Sequence, residues 1–447
     1  MGASSSIPTL GDTSVALEGT EDLATGSGPH RRSVAYRDAL RTTVFDDVRT
    51  CYDGFQRGLR VSRDRPCLGY RKVTVGADGR PTLGEYEWMT YHAIAEKRDG
   101  LGSTMVNREF ADEIEDRGKR MRMVAVYSKN RWEFTTTEQA CFAYNHVTVP
   151  LYDTLGPDAV SFVLRQTGIK TVFAERHALA NLCSVKRDHA DEVGSFARVV
   201  LYDEPTDEDR SLTEAAGLEL LSFSECVAEG LESSNRREHT PPTPADVCTL
   251  CYTSGTTGDP KGAMLTHGNI VATGAGAVLA GIAVEPDDIH ISYLPMAHVF
   301  ERVVQAFIIQ AGACIGYYGG DVKQITADLK VLRPTIFPSV PRLYNRIYDK
   351  IMGGVKEKGG LAKVLFEQAY SAKRYWLQRN YLQYPFWDSL VFGGIKSKVG
   401  LDRVKIMITG SAPIASHVME FLRIVFGAVV VEGYGQTECG AASNVTS

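Results

Sequence analysis

The sequence predicts an α/β protein built around a mostly parallel, doubly wound sheet. Short apolar runs at 123–127 (MVAVY), 146–151 (HVTVPL) and 171–174 (TVFA) are separated by helical stretches at 131–144 and 159–167. Strands that alternate with helices fold as right-handed βαβ units. Three further runs, 247–252 (VCTLCY), 405–409 (KIMIT) and 429–431 (VVV), each lead into a loop that carries glycine. Ligands of open α/β sheets collect at the carboxyl ends of strands, so these three loops are expected to face one crevice.

In chain order, the first 33 residues are small, polar and glycine-rich, and predict a disordered tail ahead of one large domain over 34–447. The start, MGASSS, admits two readings. Gly2 is acylated with myristate after loss of Met1, a tether that binds membranes only weakly, or the start is simply serine-rich. Residues 86–102 (YEWMTYHAIAEKRDGLG) read as a turn into an amphipathic helix, with Trp88 and Tyr91 in the core. Residues 201–246 are acidic and then proline-rich (EHTPPTPAD), and read as a surface excursion.

That excursion leads into TSGTTGDPKGAMLTHGN, residues 253–269. Glycine lets a backbone approach an anion closely, Ser254, Thr256 and Thr257 add hydroxyl donors, and Lys261 adds a point charge. The pattern is a phosphate cradle but not a Walker loop, which needs Ser or Thr directly after its lysine, where this chain has Gly262. Pro260 stiffens what a linker would leave loose. An apolar strand before the loop and a helix over 270–279, capped by Thr266, predict strand, loop, helix.

Near the end of the chain, EGYGQTE (432–438) offers an aromatic ring at Tyr434 to stack on a base, and Gly433 and Gly435 for close backbone approach. Thr437 can donate to a phosphate or carboxylate oxygen, and Glu438 can hold Mg2+ bridging phosphates. Residues 366–392 mix aromatics with Lys and Arg, and read as a packed helical excursion or as an amphipathic face resting on a membrane or partner. A net charge of -5 gives no footprint for nucleic acid. Nine cysteines point to buried thiols in a reducing, cytoplasmic setting; Cys248 and Cys251 form a single CxxC inside an apolar strand and read as packing residues. No apolar run reaches the ~18 residues a membrane-spanning helix needs.

TSGTTGDPKG resembles the signature loop of adenylate-forming enzymes. YEWMTY (86–91), NRWEF (130–134), VPLYDTLG (149–156) and FPSVPRLYNRIYDKI (337–351) resemble blocks of the long-chain fatty acyl-CoA synthetases within that superfamily, and the likeness runs from about residue 36 to 447. NRWEF departs from the family order, Pro then Trp, at packing positions. The resemblance implies two stacked, doubly wound sheets and the activation of a fatty acid by ATP with Mg2+, followed by transfer of the acyl group to coenzyme A. Another carboxylate as substrate is the alternative within the enzyme class.

The resemblance also implies site residues. In TSGTTGDPKG these are Thr253, Ser254, Gly255, Thr256, Thr257, Gly258 and Lys261; in GSAPIA, Gly410, Ser411 and Ala412 beside adenine and the acyl carboxylate; and in the last motif Glu432, Gly433, Tyr434, Gly435, Thr437 and Glu438. In YLPMAHVFE, His298 would lie between nucleotide and acyl tunnel, with Phe300 on the tunnel wall. Fatty acid, ATP and coenzyme A are the implied small-molecule partners, with a peripheral membrane contact and a homodimer as further expectations. The family continues past YGQTE with a ribose-binding aspartate, a hinge and a small lid domain carrying a catalytic lysine. The 447-residue chain is therefore expected to bind nucleotide while forming acyl-CoA at or near background, as a fragment of a synthetase or as a non-catalytic binding protein.

Overall fold

The computed structural model describes residues 14–22, 24–75, 81–152, 158–253, 259–279 and 281–446. Gly2, Ser254, Gly255, Thr256, Thr257 and Gly258 lie outside the described residues.

β1 (Ser14–Ala16) and β2 (Arg31–Ser33) pair as an antiparallel ribbon within the stretch expected to be a tail. α1 (Cys51–Ser62) starts on a capping box in which Asp53 N donates to Thr50 Oγ1 and Thr50 N to the Asp53 carboxylate. A hairpin of β3 (Pro66–Val75) and β4 (Pro81–Thr90) follows, then α2 (Tyr91–Asn107). Residues 86–90 are therefore strand rather than turn: Tyr86 and Trp88 alternate toward one side and the run pairs with β3, while the helix waits for the cap at Thr90.

The first sheet is assembled from β5 (Glu113–Asp116), β6 (Lys119–Tyr127), α3 (Trp132–Ala143), β7 (Val147–Leu151), α4 (Ala159–Thr167), β8 (Thr171–Ala174), α5 (Arg176–Asp188), β9 (Arg198–Leu201), α6 (Asp207–Ala215), β10 (Glu219–Ser222), α7 (Phe223–Leu231), β11 (Val247–Thr253) and β12 (Lys261–Thr266). Its order is β10-β9-β8-β6-β7-β11-β12 with β5 on β6, parallel except at β12 and β5. The winding turns back after β7, since β8 adds on the other side of β6, the signature of double winding. The segment 201–246 is more than a surface excursion. It carries α6, the edge strand β10 and α7, whose Phe223 and Cys226 join the core.

The second sheet takes its strands from α8 (His267–Leu279), β13 (Ile289–Ser292), α9 (Val299–Ala311), β14 (Cys314–Tyr317), α10 (Ile325–Leu332), β15 (Ile336–Ser339), α11 (Pro341–Lys358), α12 (Gly360–Leu377), α13 (Pro385–Trp387), α14 (Gly393–Val399), β16 (Ile406–Thr409), α15 (Ser416–Phe426), β17 (Val429–Tyr434) and β18 (Asn444–Val445). The order β18-β17-β16-β15-β13-β14-β3-β4 is parallel apart from the edge strands β18 and β4. Two doubly wound sheets are thus present, as expected. One core joins them: Val124 and Phe173 from the first share a cluster with Ile315 and Ile336 from the second, through Phe55, Leu101, Phe134 and Ile308 on the helices between. α1 crosses α9 closely enough that a Cβ on Gly58 would sit 2.3 Å from Ile309 O.

Candidate functional site

In the second sheet the winding reverses at β13, with β14 on one side and β15 on the other. The carboxyl ends of β16 and β17, with the start of α9, open there onto a cleft of about 1250 Å³. At its apolar end α8 contributes Ala272 and Gly276, α9 contributes Val304 and Phe307, and the strands contribute Ile336 and Ile408. At its polar end stand Thr409, Gly410, Ser411, Gly433, Gly435 and Thr437. Ser411 holds a left-handed φ of 68° without being glycine, a conformation that costs of order 1–3 kcal/mol and clusters at ligand sites.

The expected residues divide into two groups. His298, Phe300, Gly410, Ser411, Gly433, Gly435 and Thr437 line this cleft. Thr253, Lys261, Ala412, Glu432, Tyr434 and Glu438 flank it without lining it. Tyr434 is 64% exposed, its ring free to stack, and its carbonyl accepts from Ser443 N at 2.9 Å. Glu438 is exposed in the turn Thr437–Cys439. Glu432 braces the backbone, since its Oε1 accepts from Ile414 N at 3.1 Å and so ties β17 to the loop after β16.

The glycine loop differs from strand, loop, helix. It joins β11 to β12, an antiparallel hairpin in which Thr253 faces Lys261, and the helix follows only at His267. Alternation in KGAMLT makes the extra strand, with Gly262 lying flat under the Tyr252 ring, which a Cβ there would approach to 3.0 Å. Thr266 caps α8 as expected, accepting from Asn269 N while donating its own N–H to Asn269 Oδ1. β12 packs against the turn Thr437–Cys439, and Thr273 Oγ1 of α8 donates to Gly440 O at 2.9 Å. Those contacts bring β12 of the first sheet beside the Thr437–Cys439 turn of the second sheet's cleft. Gly435 allows the closest approach: a Cβ there would fall 1.6 Å from Ala441 O.

His298 is the N-cap of α9, its Nδ1 accepting from Phe300 N at 3.3 Å, and burial holds its pKa below the ordinary imidazole value while one face opens on the cleft. The turn before it is held from the other sheet by a residue to which the sequence reading gave no role. Asn130, 8% exposed just past the carboxyl end of β6, accepts from Met296 N at 2.9 Å and donates to Leu294 O at 2.6 Å and Ser292 Oγ at 2.8 Å. Gln305 Nε2 donates to Ser292 Oγ and Glu301 Oε1, both at 3.0 Å, and Glu301 pairs with the buried His290 at 2.9 Å. The buried Arg302 pairs with Glu138 and donates to Met296 O at 3.1 Å. A polar side chain a few residues past an apolar strand was the available signal for Asn130.

Cys248 and Cys251 are core residues, as expected: burial pushes the Cys251 thiol up to about 11 and the Cys248 thiol well above its ordinary value. Among the described residues Cys51, Cys248 and His267 are grouped closely enough to share an ion, all three buried. No helix there is long and apolar enough to cross a membrane.

A family model described as "AMP-binding enzyme" matches residues 55–447. The chain is 40% identical over 421 residues to the peroxisomal long chain acyl-CoA synthetase 6 of Arabidopsis thaliana, covering 94% of this chain and 57% of that protein. It is 38% identical over 426 residues to the long-chain-fatty-acid–CoA ligase 1 of Homo sapiens, covering 94% and 58%. It therefore spans under two thirds of the length of these relatives. Among solved structures, the adenylation domain of a carboxylate reductase from Mycobacterium chelonae superposes with a TM-score of 0.68 at 19% identity, over 87% of this chain and 58% of that one, a likeness of fold.

Proposed function

The chain belongs to the AMP-binding enzyme family, and from that premise we propose that it supplies the nucleotide and acyl sites of an enzyme that activates long-chain fatty acids. The observation that carries the reading is the make-up of the cleft: apolar side chains of α8 and α9 share one cavity with glycine loops and hydroxyls, and Arg31 and Arg32 of the β1–β2 ribbon also reach its wall. A fatty acid has that same division, a long chain and one carboxylate, and ligand sites of this kind bury the apolar part while a few polar groups fix orientation.

In this reading the acyl chain lies along Gly276, Val304 and Phe307, with its carboxylate beside His298 and Thr437. Adenine rests against Gly410, Ser411 and Ala412 and stacks on the exposed Tyr434 ring. The phosphates lie over the β11–β12 hairpin, where Thr253, Lys261 and the loop residues Ser254, Gly255, Thr256, Thr257 and Gly258 supply donors. Glu438 is the carboxylate placed to hold Mg2+, which when bound neutralises phosphate charge. The fatty carboxylate oxygen attacks the α-phosphorus and pyrophosphate leaves with the bonding electron pair; the thiolate of coenzyme A then displaces AMP from the acyl carbon. The protein contributes positioning and charge neutralisation. A peripheral membrane contact belongs to the same reading.

Equilibrium binding of Mg-ATP and of a non-hydrolysable long-chain acyl-adenylate analogue to the 447-residue chain tests it. The analogue is expected to bind more tightly than ATP because it fills both ends of the cleft, and Lys261→Ala is expected to weaken ATP while sparing the analogue, which has no β- or γ-phosphate. Absence of saturable nucleotide binding, or equal loss for both ligands, would sink the assignment.

A further inference from the structure

Among the described residues, seven of the fifteen large apolar side chains that remain exposed fall within 361–390, among them Leu361 at 75%, Phe386 at 61% and Leu390 at 59%. Around them, residues 356–398 carry eight basic and three acidic side chains, a net +5 within a chain of net -5. None of these residues lines the cleft.

The arrangement is built rather than frayed. α12 turns Phe366, Ala369 and Lys373 inward, and Lys373 Nζ donates to Asp388 Oδ1 at 2.6 Å, with Lys396 Nζ 3.6 Å from the same oxygen. Asp388 Oδ2 also accepts from Tyr384 N at 2.7 Å, so α12 is pinned to the segment that follows it. A second, outward side presents Leu361, Val364 and Leu365 at i, i+3 and i+4, with Tyr375 about four turns on. After α13 a single π-helical turn, Asp388–Phe392, buries Phe392 completely and leaves Leu390 outside. Such turns are rare, and they favour functional positions. Tyr381 and Tyr384 pack on Trp376, making one aromatic ledge beside Tyr375, and the Arg379 guanidinium lies 3.5 Å over the Tyr375 ring.

Protein interfaces are depleted in lysine, whereas surfaces that settle on membranes combine Trp, Tyr, Phe and Leu with Lys and Arg. We propose that the face formed by α12, α13 and the π turn docks on an anionic lipid bilayer, with the exposed apolar side chains in the headgroup and acyl boundary and the exposed basic ones, Lys363, Arg379 and Lys398 among them, on lipid phosphates and carboxylates. It names the lipid partner of the acyl-activating reading. Vesicle binding is read without nucleotide or turnover, so the two can fail separately.

The test uses the 447-residue chain produced without lipid modification, together with vesicles of phosphatidylcholine with or without phosphatidylserine. Co-sedimentation and the fluorescence of Trp376 and Trp387, two of the four tryptophans, report docking. Binding to the anionic vesicles, lost with rising salt, and a blue shift are expected. The variant Leu361→Ser, Leu365→Ser, Phe386→Ser, Leu390→Ser changes only exposed positions, and is expected to bind at least tenfold more weakly with unchanged circular dichroism. Lys358→Glu with Arg379→Glu, exposed just before and just after α12, is expected to weaken anionic binding about tenfold or more, since each surface cation contributes about 1 kcal/mol. Failure to bind anionic vesicles, equal binding by the four-serine variant, or self-association through this face without lipid binding would each overturn the proposal.

Discussion

Replacing Asn130 with alanine removes a side chain that ties the carboxyl end of β6 to the turn before His298. Met296 N–H and Leu294 O lose their partner, and both residues are buried, at 1% and 7% exposed. A buried polar group left unpaired costs about 1–3 kcal/mol, so the pair costs about 4 kcal/mol, with Ser292 Oγ still served by Gln305. Asn130→Asp keeps the shape and the acceptor for Met296 N, but sets a carboxylate oxygen against the Leu294 carbonyl 2.6 Å away, so it is expected to be no better than alanine. Urea unfolding followed by circular dichroism measures the loss. Asn107→Ala, which removes partners of Asn235 O and Arg237 Nε near the surface, is the control and is expected to cost less than about 1 kcal/mol. Equal, small losses for Asn130→Ala and Asn107→Ala would refute the claim that Asn130 holds the turn.

Gly435→Ala is expected to weaken ATP binding at least tenfold in a calorimetric titration, because its Cβ would overlap Ala441 O and force apart the loop that carries Tyr434 and Thr437. His146 gives a pH signature. Burial lowers its pKa from 6.5 to about 4, while its Nδ1–H donates to Tyr144 O at 2.9 Å. The unfolded chain binds this proton more readily, so the stability of the neutral form is complete above about pH 6.5 and falls by up to ~3 kcal/mol between there and about pH 4. His146→Gln is expected to flatten the profile of unfolding free energy across that window, and an unchanged slope would contradict it.

Much of the architecture was legible because the strands are short, apolar and separated by helices of ordinary length. The strand runs 123–127 and 171–174 stand where the alternation placed them, and Thr266 caps α8 as its side chain suggests. Periodicity failed where tertiary pairing decided. KGAMLT is too short and too mixed to announce a strand, and becomes one only because β11 offers a free edge and Gly262 fits under Tyr252. YEWMT joins a strand for the same reason, with β3 as its partner. The loops of the cleft could be named from glycine, hydroxyl and aromatic content, but how they meet could not, since β11 and β17 belong to different sheets and are joined by the β12 contact and the bond from Thr273 to Gly440. The roles of Asn130 and Gln305 were hidden for the same reason: Ser292, which both hold, lies far from each in sequence, and for Asn130 it lies in the other sheet.

The central claim is that the apolar slot between α8 and α9 holds the acyl chain, and Gly276 tests it most directly. A Cβ at Gly276 meets nothing within 4 Å, and the residue faces the slot, so Gly276→Phe fills acyl space without disturbing the helix packing. Binding of acyl-adenylate analogues with eight- and sixteen-carbon chains should then change selectively: the parent chain prefers the longer analogue, and the variant loses that preference, at about 0.8 kcal/mol, or roughly fourfold in affinity, for each methylene it can no longer bury. An unchanged preference for the sixteen-carbon analogue in Gly276→Phe would place the acyl chain elsewhere and contradict the account.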